Sequence, residues 1–218
     1  MIAIIDYGMG NIHSVKKALE SLGAKTQIAQ KASDIASSDK VVLPGVGAFD
    51  DAMLELEKKG LIGALLTHIK NKKYFLGICL GMQILFEESQ EAKKAKGLGV
   101  LKGSVKKFSG AGGLKVPHMG WNQLKIRGLS PTTEGNLINK GTVPVLCPLF
   151  KDVPDESYVY FCHSYYPAPE NKSVIAATTE YGINFASVVW QGNVFGVQFH
   201  PEKSQDTGIR ILKNFVTL

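Results

Sequence analysis

The sequence predicts an α/β fold, a central and mostly parallel sheet flanked by helices. Three observations carry that reading. In the first half, short apolar runs alternate with helical patterns, as in a parallel sheet covered on both faces. In the second half the runs lengthen, and one pair is joined by Gln191-Gly192-Asn193 into a hairpin. Between the halves, Gly77-Ile78-Cys79-Leu80-Gly81 follows the apolar run 74–78. It precedes Met82, Ile84, Leu85 and Phe86 at helical spacing. Gly-x-Cys-x-Gly there is the thiol counterpart of the sharp strand-to-helix turn that exposes a serine nucleophile.

The elements follow in order. Residues 2–5 read as a strand. Residues 11–22 read as a helix, with Ile12, Val15, Leu19 and Leu22 on one face and Gly23 as the stop. Residues 25–29 and 40–43 are the next strands, the latter running into Pro44-Gly45-Val46-Gly47. Residues 52–69 are helical and tolerate Gly60 and Gly63, as one helix or two. After the strand 74–78, short strands are predicted at 105–108, 116–117 and 122–126. Longer ones follow at 158–162, 174–179, 186–190 and 194–199, and a final helix at 208–215. Residues 127–154 lack periodicity and carry four prolines, which reads as a surface excursion.

With 218 residues, 44% of them hydrophobic, the chain suits one domain over 1–218 with a real core. No apolar run reaches the length of a membrane span. Met1-Ile-Ala-Ile-Ile-Asp6 lacks the basic region and cleavage site of a signal peptide. Three cysteines without metal-ligand spacing give neither a disulfide framework nor a metal site, and predict a reducing cytoplasm. The net charge of +6 comes from scattered lysines and short runs such as Lys93-Lys94, with no interleaved aromatics. That argues for a solvated surface and against nucleic acid as a partner.

In a parallel sheet, ligands collect at the carboxyl ends of the strands. Asp6-Tyr7-Gly8, residues 44–47 and Cys79 all fall there. A thiol at a helix start is favoured as thiolate. It needs a base, and His200 follows the strand 194–199 directly. Glu202, two residues on, can take the other imidazole N–H. Cys79, His200 and Glu202 thus become nucleophile, acid/base and orienter. Acyl transfer also needs donors for an oxyanion. Leu80 N–H is one, and Val46 N–H, between two glycines, is the second.

Gly77-Ile-Cys-Leu-Gly-Met-Gln83, Pro44-Gly-Val-Gly-Ala-Phe49 and Gly196-Val-Gln-Phe-His-Pro-Glu-Lys-Ser204 resemble the signature blocks of class I glutamine amidotransferases. Asp6-Tyr-Gly-Met-Gly-Asn11, Pro117-His-Met-Gly-Trp-Asn122 and Tyr160-Phe-Cys-His-Ser-Tyr165 narrow the resemblance to the glutaminase subunits of imidazole glycerol phosphate synthase. The resemblance implies the class I amidotransferase fold, with an additional smaller antiparallel sheet. It implies hydrolysis of L-glutamine through a γ-glutamyl thioester on Cys79, without a cofactor. Ammonia would pass to a separate cyclase subunit, a TIM barrel, which makes imidazole glycerol phosphate and an aminoimidazole carboxamide ribotide for histidine biosynthesis. Gly47 and Gln83 match positions that hold the amino-acid end of the substrate. His163, Ser164 and Tyr165 match a segment whose backbone contacts glutamine. Asn11, Trp121, Tyr160 and Lys203 match positions at or near the cyclase interface.

Two features depart from the pattern. Residues 127–154 are longer than the matching family segment, and His13 stands where arginine is expected. Two other readings compete: the glutaminase subunit of another amidotransferase, such as an anthranilate synthase, or a non-catalytic partner that only binds a cyclase. The 117–122 block argues against the first, and the intact Cys79, His200 and Glu202 against the second.

Overall fold

The computed structural model describes residues 1–110, 113–129 and 146–218. The first half builds parallel strands β1 (Ile2–Ile5), β2 (Thr26–Ala29), β3 (Lys40–Gly45) and β4 (Tyr74–Cys79). Helices α1 (Ile12–Ser21), α2 (Ala32–Ala36), α3 (Phe49–Lys58) and α4 (Ile62–Lys70) connect them, and α5 (Leu80–Gln83) leaves β4 directly. The second half adds β5 (Glu88–Ser89), β6 (Gly103–Lys107), β7 (His118–Gln123), β8 (Lys125–Ile126), β9 (Tyr158–His163) and β10 (Tyr165–Pro169). It closes with β11 (Ile175–Glu180), β12 (Asn184–Gln191), β13 (Val194–Val197) and α6 (Gln205–Thr217).

The main sheet has the order β2-β1-β3-β4-β13-β12-β11-β8. Its first five strands are parallel, and β12, β11 and β8 are antiparallel additions. A three-stranded sheet, β10-β6-β5, and a two-stranded ribbon, β7-β9, complete the fold.

Alternate residues of the parallel strands enter two separate cores. Ile2, Ile4, Val42, Leu76 and Ile78 pack under α1 and α6, while Ala3, Ile5, Val41, Leu43 and Phe75 pack under α3 and α4. Burial on both faces is why these strands read as unbroken apolar runs. Asn11 caps α1, its side-chain oxygen accepting from Ser14 N–H at 3.4 Å. The helical stretch after β3 is two helices, broken at Gly60, whose φ is +64°.

Three local expectations change. Residues 116–117 form a bend at a cis Val116–Pro117 peptide, and the strand starts at His118. The run 122–126 divides between the ribbon and the main sheet, because β7 pairs with β9 while β8 pairs with β11. β10 is an additional strand whose Pro167 and Pro169 hid it; it lies at a sheet edge, where proline is tolerated. Most of the excursion at 127–154, residues 130–145, lies outside the described residues. Its C-terminal flank is packed: Leu149 and Phe150 are buried, and Asn214 of α6 donates to Leu149 O at 2.9 Å and Lys151 O at 2.7 Å.

Candidate active site

β4 delivers Cys79 to the carboxyl edge of the sheet, and α5 begins at the next residue. Cys79 has φ 54° and ψ −108° there, a strained backbone for any residue with a Cβ. The flanking glycines answer a lack of space. A Cβ on Gly77 would lie 2.4 Å from Gly81 O, and one on Gly81 would lie 1.9 Å from Leu43 O. This strand-to-helix turn therefore sits hard against its neighbouring strand.

β13 runs parallel to β4 with Val197 opposite Ile78, which sets Gln198 beside Cys79 and carries His200 over the same rim. His200 is held by its backbone: its N–H donates to Tyr160 O at 2.9 Å, and Ser204 Oγ donates to its carbonyl at 2.7 Å. Its Nδ1 donates to Glu202 Oε1 at 3.0 Å, with both side chains buried. The imidazole also interacts with Cys79, which favours its charged form. Burial disfavours the imidazolium, but the interactions with Cys79 and Glu202 and the charges of both outweigh it. The His200 pKa is raised to about 10. The imidazole is thus poised to hold a proton beside the sulfur.

On the other side of β4, Gly45 of β3 stands opposite Cys79, so Val46 follows Gly45 as Leu80 follows Cys79. Gly45 is glycine because a Cβ would meet the Tyr7 hydroxyl at 2.5 Å and Leu80 Cβ at 2.9 Å. Gly47 is glycine for its backbone, with φ +100°. Val46 itself is 44% exposed, at the open rim beside the nucleophile turn.

Several residues expected to hold substrate are linked to the sulfur through one neighbour. Cys79 Sγ lies 3.9 Å from Cys162 O, at the end of β9 that leads into His163, Ser164 and Tyr165. Gln83 Nε2 donates to Tyr165 O at 2.9 Å and to Gln198 Oε1 at 3.1 Å. Both Gln83 N–H groups are thus engaged, which leaves Oε1 as the acceptor of that amide. His163 Nδ1 donates to Tyr165 O at 2.8 Å, so its Nε2 is the acceptor for His118 Nδ1–H at 3.1 Å. Asn122 then donates to His118 Nε2 at 3.3 Å. Burial, the larger cause in each case, lowers the pKa of His118 to about 4 and of His163 to about 3. Both imidazoles are thereby held in the neutral form near neutral pH. Ser164 lies between β9 and β10, and its carbonyl accepts from Phe108 N–H at 3.1 Å.

The expected interface residues gather on the ribbon face that continues from this rim. Trp121 is 45% exposed and meets Tyr160 edge-on, with ring centroids 6.0 Å apart. Lys203 Nζ stands over the Tyr160 ring at 5.8 Å. Trp121 and Tyr160 are paired across the ribbon and are surface aromatics, not core. Asn11 begins α1, which packs against the 3-10 turn Pro201–Lys203.

Sequence reasoning assigned no role to Gln198, which is fully buried and donates from Nε2 to Cys79 Sγ at 3.5 Å. The signal was available, since Gln198 lies two residues before His200 at the end of the same strand. A cavity of about 430 Å³ between α2 and α4 and one of about 230 Å³ beside Arg127 and Trp190 contain no triad residue.

A thiol on a strained strand–helix turn, with a His–Glu pair just past the end of the adjacent strand, defines a cysteine amidase class on an α/β sheet. The family model described as Glutamine amidotransferase class-I matches residues 3–218. The imidazole glycerol phosphate synthase subunit HisH of Syntrophotalea carbinolica is 46% identical over 220 residues, covering 99% of this chain and 98% of the relative. The protein of the same name from Bacillus cytotoxicus is 47% identical over 215 residues, covering 99% of this chain and 93% of the relative. Among solved structures, a glutamine amidotransferase crystal structure aligns with a TM-score of 0.72 at 18% identity, covering 100% of both chains. The structure of PurLQS from Thermotoga maritima aligns at 0.70 with 18% identity, covering 99% of this chain and 97% of that one. These two likenesses show the fold. The chain belongs to the class I glutamine amidotransferases and, within them, to the imidazole glycerol phosphate synthase subunit HisH family.

Proposed function

We propose that this chain is the glutaminase subunit of imidazole glycerol phosphate synthase, and that Cys79, His200 and Glu202 perform the hydrolysis. The observation that carries the reading is the strained Cys79 turn, beside which the neighbouring strand brings a His200 that is itself held by buried Glu202. The thiolate attacks the side-chain amide carbon of L-glutamine. The oxygen takes up negative charge, and Leu80 N–H and Val46 N–H are the donors for it. His200 gives its proton to the departing nitrogen, the C–N bond breaks, and ammonia leaves a γ-glutamyl thioester on Cys79. His200 next takes a proton from water, whose oxygen attacks the thioester. Glutamate departs and the thiolate is restored. Gly47, Gln83 and the backbone of His163, Ser164 and Tyr165 hold the amino-acid end of the substrate.

The partner is a cyclase subunit, which docks on the ribbon face formed by Met119, Trp121 and Tyr160 with Lys203 and Asn11 beside it. Supporting this, Met119 is 60% exposed, and the three side chains project from one face that borders the strand end at Cys162. The exposed apolar side chains are what a partner would cover. Free ammonia released to solvent is wasted glutamine, so the isolated chain is nearly silent and the cyclase carrying its nucleotide ligand raises its rate. Among the described residues, no helix is long and apolar enough to cross a membrane. Cys79, Cys147 and Cys162 are free, which suits the reducing cytoplasm to which we assign the chain.

Glutamate release measured with and without the cyclase tests the reading, together with mass spectrometry after a glutamine-like electrophile. Stimulated release and labelling confined to Cys79 are expected. Burial pushes the Cys147 thiol up to about 12, which leaves it inert. Equal labelling of the three cysteines, or an active Cys79→Ala protein, overturns it.

A further inference from the structure

We infer that Gln198 is a positioning residue of the amidase site: one amide bridges the nucleophile to the residue that orients the substrate. The inference rests on the reading of Cys79 as nucleophile. Gln198 is fully buried between the two groups. Its Nε2 donates to Cys79 Sγ at 3.5 Å, and its Oε1 accepts from Gln83 Nε2 at 3.1 Å. Its own backbone is pinned, its N–H donating to Ser187 O at 2.9 Å. The side chain therefore has a fixed origin, and its two ends have fixed roles.

Each end has a distinct consequence. An N–H aimed at sulfur stabilises the thiolate over the thiol, because a charged acceptor makes the stronger bond. It also holds the sulfur toward the rim that His200 overhangs. The carbonyl end fixes the direction of the Gln83 amide. Tyr165 O takes one Gln83 N–H and Gln198 Oε1 takes the other, so Gln83 Oε1 is what remains to face the substrate. Without Gln198 the Gln83 amide loses one of two constraints, and the nucleophile loses a donor. The bridge explains why a glutamine, with a donor and an acceptor on one planar group, stands at the end of a strand that is otherwise apolar.

Substitutions at the two ends separate the effects. The full chain is treated with iodoacetamide over a range of pH, and the rate of Cys79 alkylation is followed by mass spectrometry. Gln198→Leu removes both bonds. Alkylation near neutral pH slows by about tenfold or more, and the midpoint of its pH profile moves alkaline by about one unit. Gln198→Glu keeps an acceptor for Gln83 but turns a second oxygen toward the sulfur. It moves the midpoint further than Gln198→Leu, while in the cyclase-stimulated reaction its KM stays closer to that of the unaltered chain and the loss falls on kcat. A packing role alone does not produce that ordering. Identical alkylation profiles in folded variants overturn the inference. In the unaltered chain, the side-chain amide resonance of Gln198 moves in step with the Cys79 titration and ceases to do so in Cys79→Ala. An amide that ignores the titration overturns the inference even where neither variant folds. If Cys79 of the unaltered chain does not react, or Cys79→Ala still releases glutamate, the amidase reading fails first.

Discussion

The nucleophile turn is the place where a single methyl group does the most damage. In Gly81→Ala the new Cβ would lie 1.9 Å from Leu43 O and 3.0 Å from Leu43 C. Both atoms are backbone of β3, which is buried on both faces. An ordinary C···O separation is about 3.3 Å, so the turn and the strand must part by more than 1 Å, roughly. Overpacking of this kind costs about 1–3 kcal/mol or more. For a chain of this size that is a fall in Tm of roughly 2–4 °C per kcal/mol. The larger effect is on catalysis. The displaced atoms carry Leu80 N–H and Cys79, and a displacement of about 1 Å at reacting groups costs about 10² in rate. Gly63→Ala is the control. Gly63 lies in α4 with nothing within 4 Å of its would-be Cβ, and alanine there should leave turnover unchanged and stability equal or slightly higher. Differential scanning calorimetry gives the stability, and cyclase-stimulated glutamate release gives the rate. A Gly81→Ala protein with the Tm and turnover of the unaltered chain would refute the packing argument at the turn.

Three further outcomes follow from the same geometry. His200→Ala abolishes turnover, while Glu202→Gln is milder because it keeps an acceptor for Nδ1 and loses only the charge; steady-state glutaminase assays on both decide this, and a harmless His200→Ala with an inactive His163→Ala would reverse the choice of base. His118 and His163 have folded pKa values of about 4 and about 3, below their unfolded value of 6.5. Their contribution is present above pH 6.5 and lost as pH falls toward 4, whereas His200, raised to about 10, contributes below 6.5 and loses its share as pH rises toward 10. The urea midpoint should therefore fall on acidification from neutrality, and His118→Phe, which keeps the ring stacked between Phe161 and Tyr181, should flatten that slope. Finally, Val46→Pro deletes the proposed oxyanion donor and should reduce cyclase-stimulated turnover by about 10²–10³ while Cys79 still reacts with a small electrophile; near-normal stimulation in the folded variant would exclude Val46 as the donor.

The parts of this fold that the sequence displayed are those with a local physical signature. Strands buried on both faces are continuous apolar runs, and β1, β3 and β4 were readable within a residue or two of their ends. α2 left no pattern, because it has five residues and buries only Ile35. β10 was concealed by two prolines that an edge strand can hold. The split of 122–126 between two sheets depends on pairing partners more than thirty residues away for β7, roughly as far as any local rule is blind. Short-range pattern ends where register begins.

The same division runs through the site. The placing of Cys79, His200 and Glu202 at one rim was legible because it rests on short frames: glycines around a strained turn, and a carboxylate two residues from an imidazole. Gln83, Gln198 and Tyr165 are tied by hydrogen bonds between residues 82 and 115 positions apart. The tie between Gln83 and Gln198 exists because β13 lies against β4 in one register, with Gly196 opposite Gly77 and Val197 opposite Ile78. Moving that register by one residue would turn Gln198 to the opposite face of the sheet and take its donor away from the sulfur. Two glycines help to fix it. A Cβ on Gly196 would meet Met82 Cγ at 2.6 Å, and one on Gly77 would strike the nucleophile turn itself. The apolar pairing that makes the sheet thus also sets the polar bridge at its edge. Gln198 could be named from the sequence, but its contact with Cys79 follows only once the strands are aligned.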